Sequence, residues 1–296
     1  MKNQPFSTGD LTVIIVTFNS AHCIAALSQG LQGMPQIVFS DNGSEDDTVA
    51  QIRRLLPQAH IIEHKANLGF GTANNRALDL VTTQYALLLN PDCLPTLEFF
   101  DESMKVCASF PEAAIIAPHL MRRHGELELS YRWPATHWES KGPAAEAPCC
   151  VGFACGAALL LNMPLMRTIG FFDESFFLYY EDEDLCQRVF NSGHAIILAP
   201  QLSITHLSRG SVKGASPLKF EYLRGFHHAQ SKVLFAAKHF GLTKARHLRT
   251  KTLLLAGLTV VPRLLLPQPR YIARLFGRIA GLIDRNLSNK PALRKP

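Results

Sequence analysis

The chain of 296 residues lacks the short motifs that identify several large enzyme classes. No Gly-x-Gly-x-x-Gly follows the first apolar run, which disfavours a dinucleotide site, and neither a P-loop nor a Gly-x-Ser-x-Gly motif occurs. The seven cysteines include no Cys-x-x-Cys pair, which disfavours a zinc ribbon and predicts mostly unpaired thiols in a reducing compartment. We expect no signal peptide, because the apolar run at 11–16 is too short.

Acidic residues are almost absent from the last third of the chain. Residues 205–296 contain 18 Lys and Arg but only two acids, Glu221 and Asp284. Residues 1–204 contain 12 basic and 22 acidic residues, so the net charge of +6 hides an acidic front and a strongly basic tail. A basic segment favours phosphate groups, whether in nucleic acid, anionic lipid or a pyrophosphate substrate.

The composition is globular, with 47% hydrophobic and 18% charged residues. In the front of the chain, short apolar runs alternate with helical patterns, while residues 120–150 resemble an irregular insertion. The predicted strands are 11–19, 36–44, 60–64, 85–92, 155–162, 195–200 and 203–207. The predicted helices lie near 22–32, 46–56, 70–80, 95–108 and within 172–193. This alternation predicts an α/β fold with a mostly parallel sheet covered on both faces.

From about residue 216 the pattern is helical, so we divide the chain into a catalytic domain, 1–215, and a basic helical region, 216–296. The very apolar run at 252–266 is shorter than the ~20 residues of a spanning helix. Residues 270–285 predict a basic amphipathic helix, with Arg270, Arg274 and Arg278 four apart. Such a helix either lies in a membrane interface or packs on the protein's own core, and its charge favours the membrane.

Polar side chains follow each of the first four predicted strands, where a strand core needs none. They are Thr17 and Asn19, Asp41 and Asn42, His64 and Asn67, and Asn90 and Asp92. Because ligands bind at the carboxyl ends of parallel strands, these residues predict a binding crevice.

Two of these residues have both a functional and a structural interpretation. Asp41 can accept from a base N–H or a ribose hydroxyl, whereas the segment around it can cap a helix with Ser44. Asp92 is a candidate ligand for a metal or a metal-bound diphosphate, or simply part of a proline turn.

Four consecutive acids, residues 181–184, open a predicted helix. The start of a helix favours ionised carboxylates, which suits a general base. Asp184 lies four residues before Arg188 and is expected to pair with it, so Asp182 is the better catalytic candidate. Glu181 is a further acidic candidate near an acceptor.

His206 ends a predicted strand and begins a polar loop. A role as a metal ligand or phosphate contact and the role of an ordinary histidine both remain open.

Taken together, these motifs resemble glycosyltransferase family 2, the inverting enzymes with a GT-A fold. The motifs occur in order as VTFN (16–19), DNGSEDDT (41–48), NLGFGTANN (67–75), LLLNPD (87–92), CGAALLL (155–161), FDESFFLYYEDEDLCQR (172–188) and the His–Ser element at 206–211. Within the family the chain looks most like the rhamnosyltransferase-like branch, which acts on cell-envelope glycans.

The resemblance implies roles for individual residues. Asp41 would contact the nucleotide base, and the nucleotide pocket would include Thr17, Asn19, Asn42, Asn67 and Asn75. Asp92 and His206 would bind Mg²⁺ or Mn²⁺, and Asp182 would deprotonate the acceptor hydroxyl. Asn90 departs from the family's frequent Asp-x-Asp metal motif.

The expected activity is therefore transfer of a sugar, with rhamnose one candidate, from a dTDP- or UDP-linked donor. The acceptor would be a lipid-linked glycan or lipopolysaccharide core, reached by an enzyme peripheral to the cytoplasmic face of the cell membrane and docked on its anionic surface. Two alternatives are a hydrolase that uses the same carboxylates and a non-catalytic binding protein on this fold. Nucleic acid is a disfavoured partner, since no helix-turn-helix or RNP-like signature occurs.

Overall fold

The computed structural model describes residues 7–133, 144–207, 216–265 and 268–284. Part of the predicted insertion and the Ser208–Ser211 loop lie outside these residues. The chain forms two compact units, of which the first comprises Met1–Phe172 and Leu185–Lys213 and the second Asp173–Asp184 and Gly214–Pro296. All seven cysteines are free, in agreement with the prediction of mostly unpaired thiols.

The described strands all belong to the first unit. They are β1 (Leu11–Thr17), β2 (Ile37–Asp41), β3 (His60–Glu63), β4 (Tyr85–Leu89), β5 (Cys93–Leu94), β6 (Ala113–Met121), β7 (Leu127–Glu128), β8 (Tyr131–Arg132), β9 (Cys149–Cys150), β10 (Phe153–Ala154), β11 (Ala158–Asn162) and β12 (Ala195–His206).

The described helices lie in both units. They are α1 (Ala21–Gly30), α2 (Thr48–Leu55), α3 (Phe70–Leu78), α4 (Leu97–Ser109), α5 (Met163–Ile169), α6 (Glu181–Asn191), α7 (Pro217–Phe240), α8 (Leu242–Leu258), α9 (Val260–Leu265) and α10 (Pro269–Ile283). A 3-10 turn, Thr8–Asp10, precedes β1.

The main sheet has the order β3-β2-β1-β4-β11-β6-β12-β5, with β7 beside β6 and β9 beside β12. Strands β3, β2, β1 and β4 are parallel, β11 is antiparallel to both of its neighbours, and β12 is parallel to β6. The six strands β3, β2, β1, β4, β6 and β12 therefore run in one direction. This arrangement confirms the predicted α/β fold with a mostly parallel sheet.

Apolar side chains cover both faces of the sheet. On β1, Val13 and Ile15 join one buried cluster, whereas Ile14 joins the other. On β4, Leu87 and Leu88 are divided in the same way. Because successive residues of a strand point to opposite faces, a continuous apolar run is what such a doubly covered strand requires.

The sheet differs from the sequence prediction at β6, at β12 and in the short strands β5, β7 and β9, which were not predicted. Strand β6 lies between β11 and β12, although no strand was predicted there. Strand β12 is continuous where two short strands were predicted, and its register shifts between Ala199 and Ser203. That irregularity accommodates Pro200, which cannot donate to a ladder.

In the second unit, α10 packs closely against α7. A Cβ added at Gly225, Gly277 or Gly281 would clash with the backbone of the opposite helix. Leu275 and Leu282 of α10 are buried, so this helix packs much of its apolar face on the protein itself. Among the described residues, no helix is both long and apolar enough to cross a membrane.

Candidate active site

Asp41 ends β2 and is held by three hydrogen bonds. Strands β1 and β2 pair with Thr17 opposite Asp41. The Thr17 hydroxyl donates to Asp41 Oδ1 at 2.8 Å, and the hydroxyl and backbone N–H of Ser44 donate to the carboxylate at 2.6 and 2.8 Å. Because the carboxylate is almost fully buried, its position is set before a ligand binds.

Ser44 does not act as the predicted helix cap. Helix α2 begins only at Thr48, and Asp46 Oδ1 accepts the Thr48 backbone N–H at 3.1 Å. Ser44 instead links the loops after β1 and β2, since its hydroxyl oxygen also accepts the backbone N–H of Asn19 at 2.8 Å. Asn19 has a left-handed backbone, with φ 51°, and its Oδ1 accepts from the N–H of Glu45 at 2.9 Å.

Asn42 and Asn67 fix the loop that follows β3. The Asn42 side chain donates to the Gly69 carbonyl at 3.1 Å and accepts from the Leu68 N–H at 3.1 Å. Asn67 Oδ1 accepts the Gly69 N–H at 2.9 Å. Hydrogen bonds therefore join the loops after β1, β2 and β3, which carry the side chains predicted to form a nucleotide pocket.

Asn75 has a different set of bonds. From α3 its amide donates to the Phe172 carbonyl at 2.9 Å and accepts from the Phe172 N–H at 3.0 Å. Asn75 therefore anchors the chain at Phe172, where the first unit gives way to residues 173–184 of the second.

Asp92 and His206 meet through strand pairing. The short strand β5 pairs antiparallel with the end of β12, placing Cys93 opposite His206. The Leu207 N–H donates to the Asp92 carbonyl at 2.9 Å. His206 Nε2 lies 3.6 Å from Asp92 Oδ1, so two residues distant in sequence face each other beyond the end of β4.

Glu128 supports this pair and was not found from the sequence. It lies on β7, and its Oε2 is 3.3 Å from His206 Nδ1. Burial alone would lower the pKa of His206, but hydrogen bonds and charge from Asp92 and Glu128 outweigh it and raise the pKa above its ordinary value. A carboxylate on one ring nitrogen turns the other nitrogen toward a ligand, as in many metal sites.

Asp92, His206 and Cys93 place potential metal-ligating atoms within 4.8 Å of one another. Cys93 is a poor member of this set, because burial raises the pKa of its thiol well above the ordinary value and the Sγ contacts the Ala157 carbonyl at 3.4 Å. A thiol must lose its proton to bind a metal. The remaining carboxylate and imidazole fit Mg²⁺ or Mn²⁺, with positions left for phosphate oxygens.

The acidic run at the start of α6 belongs to the second unit up to Asp184. Asp184 is fully buried and contacts Lys238 Nζ at 2.7 Å and His239 Nε2 at 2.8 Å. Arg188, its predicted partner, donates to backbone carbonyls at Ile169, Gly170 and Phe171. Lys238 and His239 thus both contact Asp184, and neither contact was identified from the sequence.

Asp182 and Glu181 have different surroundings. Asp182 is half-buried, and its Oδ1 accepts the Glu183 N–H at 2.9 Å. Glu181 is buried and its Oε2 has no hydrogen-bond partner among the described residues. Burial, followed by the charge of Asp182, raises the pKa of Glu181 well above its usual value, which favours its neutral form.

The turn before these acids is strained. Tyr179 and Tyr180 both have left-handed backbones, with φ 68° and 66°. Non-glycine residues in this region cost roughly 1–3 kcal/mol each. The Tyr180 carbonyl accepts the Asp184 N–H at 2.8 Å, so the strained pair is built directly into the first turn of α6.

The mixed sheet, with its polar clusters at the carboxyl ends of β1, β2 and β4, defines a GT-A-type glycosyltransferase. The family model of glycosyl transferase family 2 matches residues 12–162, so the chain belongs to this family.

Named relatives are enzymes of the same class. The chain is 24% identical over 275 residues to the N-acetylglucosaminyl-diphospho-decaprenol L-rhamnosyltransferase of Mycobacterium tuberculosis, covering 80% of this chain and 88% of the relative. It is also 24% identical to the low-salt glycan biosynthesis hexosyltransferase Agl10 of Haloferax volcanii, covering 98% of this chain and 96% of the relative.

A solved structure has the same fold. The mannosyltransferase PcManGT from Pyrobaculum calidifontis, solved with GDP-Man and Mn²⁺, aligns with a TM-score of 0.56 and 16% identity. The alignment covers 93% of this chain and 88% of that chain.

Proposed function

We propose that this glycosyltransferase moves a sugar, with rhamnose a candidate, from a dTDP- or UDP-linked donor to a hydroxyl of a lipid-linked or other cell-envelope glycan, with inversion at the anomeric carbon. The Asp92–His206 pair, beside the Asp41 cluster, carries this proposal. Strand β1 pairs with β2 on one side and β4 on the other, so both clusters lie along the same edge of the sheet. The L-rhamnosyl and hexosyl activities in the names of the relatives support the sugar class.

The Asp41 cluster suits the nucleoside part of the donor. Its carboxylate is preset by Thr17 and Ser44, so accepting a base N–H or ribose hydroxyl costs little reorganisation. Asn19 and Asn42 order the surrounding loops, which supports a pocket whose shape is fixed by backbone.

Asp92 and His206 would hold the divalent cation, with Glu128 orienting the imidazole. A bound Mg²⁺ or Mn²⁺ would neutralise charge on the leaving diphosphate. Asn90 can offer a neutral amide oxygen where an acid is frequent in the family. One fewer carboxylate lowers the charge of the site, so we expect weaker metal affinity than in a two-acid site.

Asp182 is the proposed general base. Its carboxylate takes the proton of the acceptor hydroxyl as the acceptor oxygen bonds to the anomeric carbon. The bond from that carbon to the diphosphate breaks, and the nucleoside diphosphate leaves with the electron pair. This single displacement inverts the carbon and needs no covalent nucleophile.

The proposed acceptor is held in a membrane, and the enzyme is peripheral to the cytoplasmic face. The relative from M. tuberculosis is named for a decaprenol-linked diphosphate acceptor. The excess of cations in residues 205–296 is consistent with an acceptor that carries a diphosphate.

Thermal unfolding with a panel of nucleoside diphosphates, with and without Mn²⁺ or Mg²⁺, tests the donor site. Ligands that bind only the folded state raise the melting temperature with dose. We expect a metal-dependent rise with UDP or dTDP that Asp92→Asn abolishes. Asp101→Asn, which changes an exposed acid on α4, is the matched control and should respond as the wild type does.

A flat response across the panel, in protein that unfolds cooperatively, would contradict the donor proposal. A transfer assay distinguishes a glycosyltransferase from a hydrolase. Product that requires an acceptor supports transfer, whereas free sugar released at the same rate without acceptor supports hydrolysis.

A further inference from the structure

The second unit exposes a concentrated apolar segment, residues 254–265, at the end of α8 and along α9. Six of its large aliphatic side chains are between 53% and 75% exposed: Leu254, Leu255, Leu258, Val261, Leu264 and Leu265. Elsewhere in the described chain, exposed large hydrophobic residues are more widely spaced, with Tyr271, Phe276 and Ile283 on α10. Scattered apolar residues are normal on a protein surface, but a continuous cluster indicates an interaction site.

The helical unit cannot bury this segment on itself. Ala245 and Ala256 are the buried residues of α8, and α9 has none. Leu253, Leu254 and Leu255 are consecutive, so they point in different directions around the helix and cannot all face one core. The segment therefore carries more apolar surface than its own unit covers.

Positive charge borders the segment. Residues 252–262 contain no charged side chain, with Lys251 before them and Arg263 after them. No acid occurs between Glu221 and Asp284. The Arg263 guanidinium lies 5.3 Å from the ring centre of Tyr271, and Tyr271 is itself exposed. Exposed aliphatic residues beside arginine and tyrosine form the pattern of a protein surface that enters a lipid headgroup region.

The length of the segment permits shallow insertion only. As helix it extends at most about 18 Å, against about 30 Å for the hydrocarbon core of a bilayer. A second protein or another copy of the chain would also supply apolar surface, but a bilayer offers phosphate groups and hydrocarbon at one boundary, which matches cations that border an aliphatic segment. Charge and apolarity together favour a bilayer containing anionic lipid.

We propose that residues 254–265 insert into the acyl boundary of one leaflet of an anionic membrane, with the neighbouring cations on lipid phosphates. This contact differs from the one predicted from the sequence, which used the helix now seen as α10. Leu275 and Leu282 of α10 are buried in the unit, although Phe276 and Ile283 of the same helix are exposed. The proposal rests on the membrane location proposed above, but not on the transfer chemistry, which the nucleoside diphosphate experiment tests separately.

Sedimentation of the full chain with vesicles tests this surface. Wild type should bind vesicles of phosphatidylcholine with phosphatidylglycerol, and bind pure phosphatidylcholine more weakly. Leu255→Glu combined with Leu258→Glu should lower the partition coefficient at least about 10-fold, because two leucines that would enter the lipid are lost. Leu97→Glu, at an equally exposed leucine on α4 in the first unit, is the matched control and should bind as wild type.

A second measurement reports how deeply the segment enters the bilayer. Leu258→Trp should show fluorescence quenched by lipids brominated on the acyl chain, to a greater extent than wild type or Leu97→Trp. Equal binding by the double variant and wild type would overturn the proposal, as would absence of wild-type binding to anionic vesicles. A dimer in solution that the double variant dissociates, without any vesicle binding, would assign the segment to a second copy instead.

Discussion

Four consecutive carboxylates can occur at the start of α6 because their surroundings differ. Asp184 is compensated by Lys238 and His239. Burial raises the pKa of Glu181 well above its ordinary value, so its charge is suppressed. The repulsion expected from the sequence is thereby reduced within one turn. Asp182 is half-buried and its Oδ1 accepts the Glu183 N–H, and it is the member proposed above to exchange a proton.

Asp182→Asn therefore tests the base assignment. An amide keeps the size of the side chain but cannot take a proton, so we expect kcat to fall about 10²- to 10⁴-fold. Donor affinity, measured by calorimetry with a nucleoside diphosphate and Mn²⁺, should remain within about twofold of wild type.

Glu183→Gln is the matched control, because it removes the adjacent acid from the same turn. It should leave kcat close to that of wild type. Loss of donor affinity in Asp182→Asn with kcat retained would place Asp182 in the donor site rather than beside the acceptor.

Individual site residues were predictable where one strand and the loop after it carried the signal. Asp41, Asn42 and Asp92 follow apolar runs directly, and the structure places them at the ends of strands. Glu128 gave no such signal, because its contact with His206 depends on β7 pairing with β6. Lys238 was missed for a similar reason, since its bond to Asp184 joins residues far apart in the chain.

Strands and helices could be predicted where the residue pattern that indicates them lies within the element itself. Strands β1 to β4 are short apolar runs bounded by polar turns, and all four were found. Strand β6 was missed although it is almost wholly buried, because a short apolar run after a helix does not by itself distinguish a strand from a helix end. For the basic helix α10, periodicity indicated an apolar face but not the surface that covers it.

Close packing of α7 and α10 predicts a clear stability difference between two glycines. A Cβ at Gly277 would meet the backbone of Tyr222, whereas one at Gly257 on α8 would meet nothing within 4 Å. Gly277→Ala must separate the helices, so we expect it to lower the free energy of unfolding by about 1–3 kcal/mol. Gly257→Ala should raise it by up to about 1 kcal/mol, because alanine is the better helix former.

Chemical denaturation monitored by circular dichroism measures both variants against wild type. The comparison isolates packing, because each variant adds one methyl group to a helix. Equal effects of the two substitutions would show that the α7–α10 contact is looser than the structure has it.

The whole chain combines an acidic front with a basic end, and this division matters for an enzyme whose proposed donor and acceptor are both anionic. A net charge of +6 predicts only weak attraction to a membrane. The 18 cations in residues 205–296 supply a locally much stronger field, and the exposed segment at 254–265 adds apolar contact. Attraction to lipid and binding of the nucleotide would then depend on different parts of the chain and respond differently to salt.

The last prediction uses this separation. Raising ionic strength from about 0.1 to 1 M shortens the screening length from about 10 to 3 Å, which weakens contact between the basic residues and a membrane. For an acceptor embedded in anionic vesicles, the apparent KM should therefore rise steeply with salt. For a short-chain acceptor free in solution it should change little, while kcat stays constant for both. If the apparent KM rises with salt equally for the two acceptors, salt acts on the donor or acceptor site itself. The basic end then does not concentrate the enzyme on its substrate.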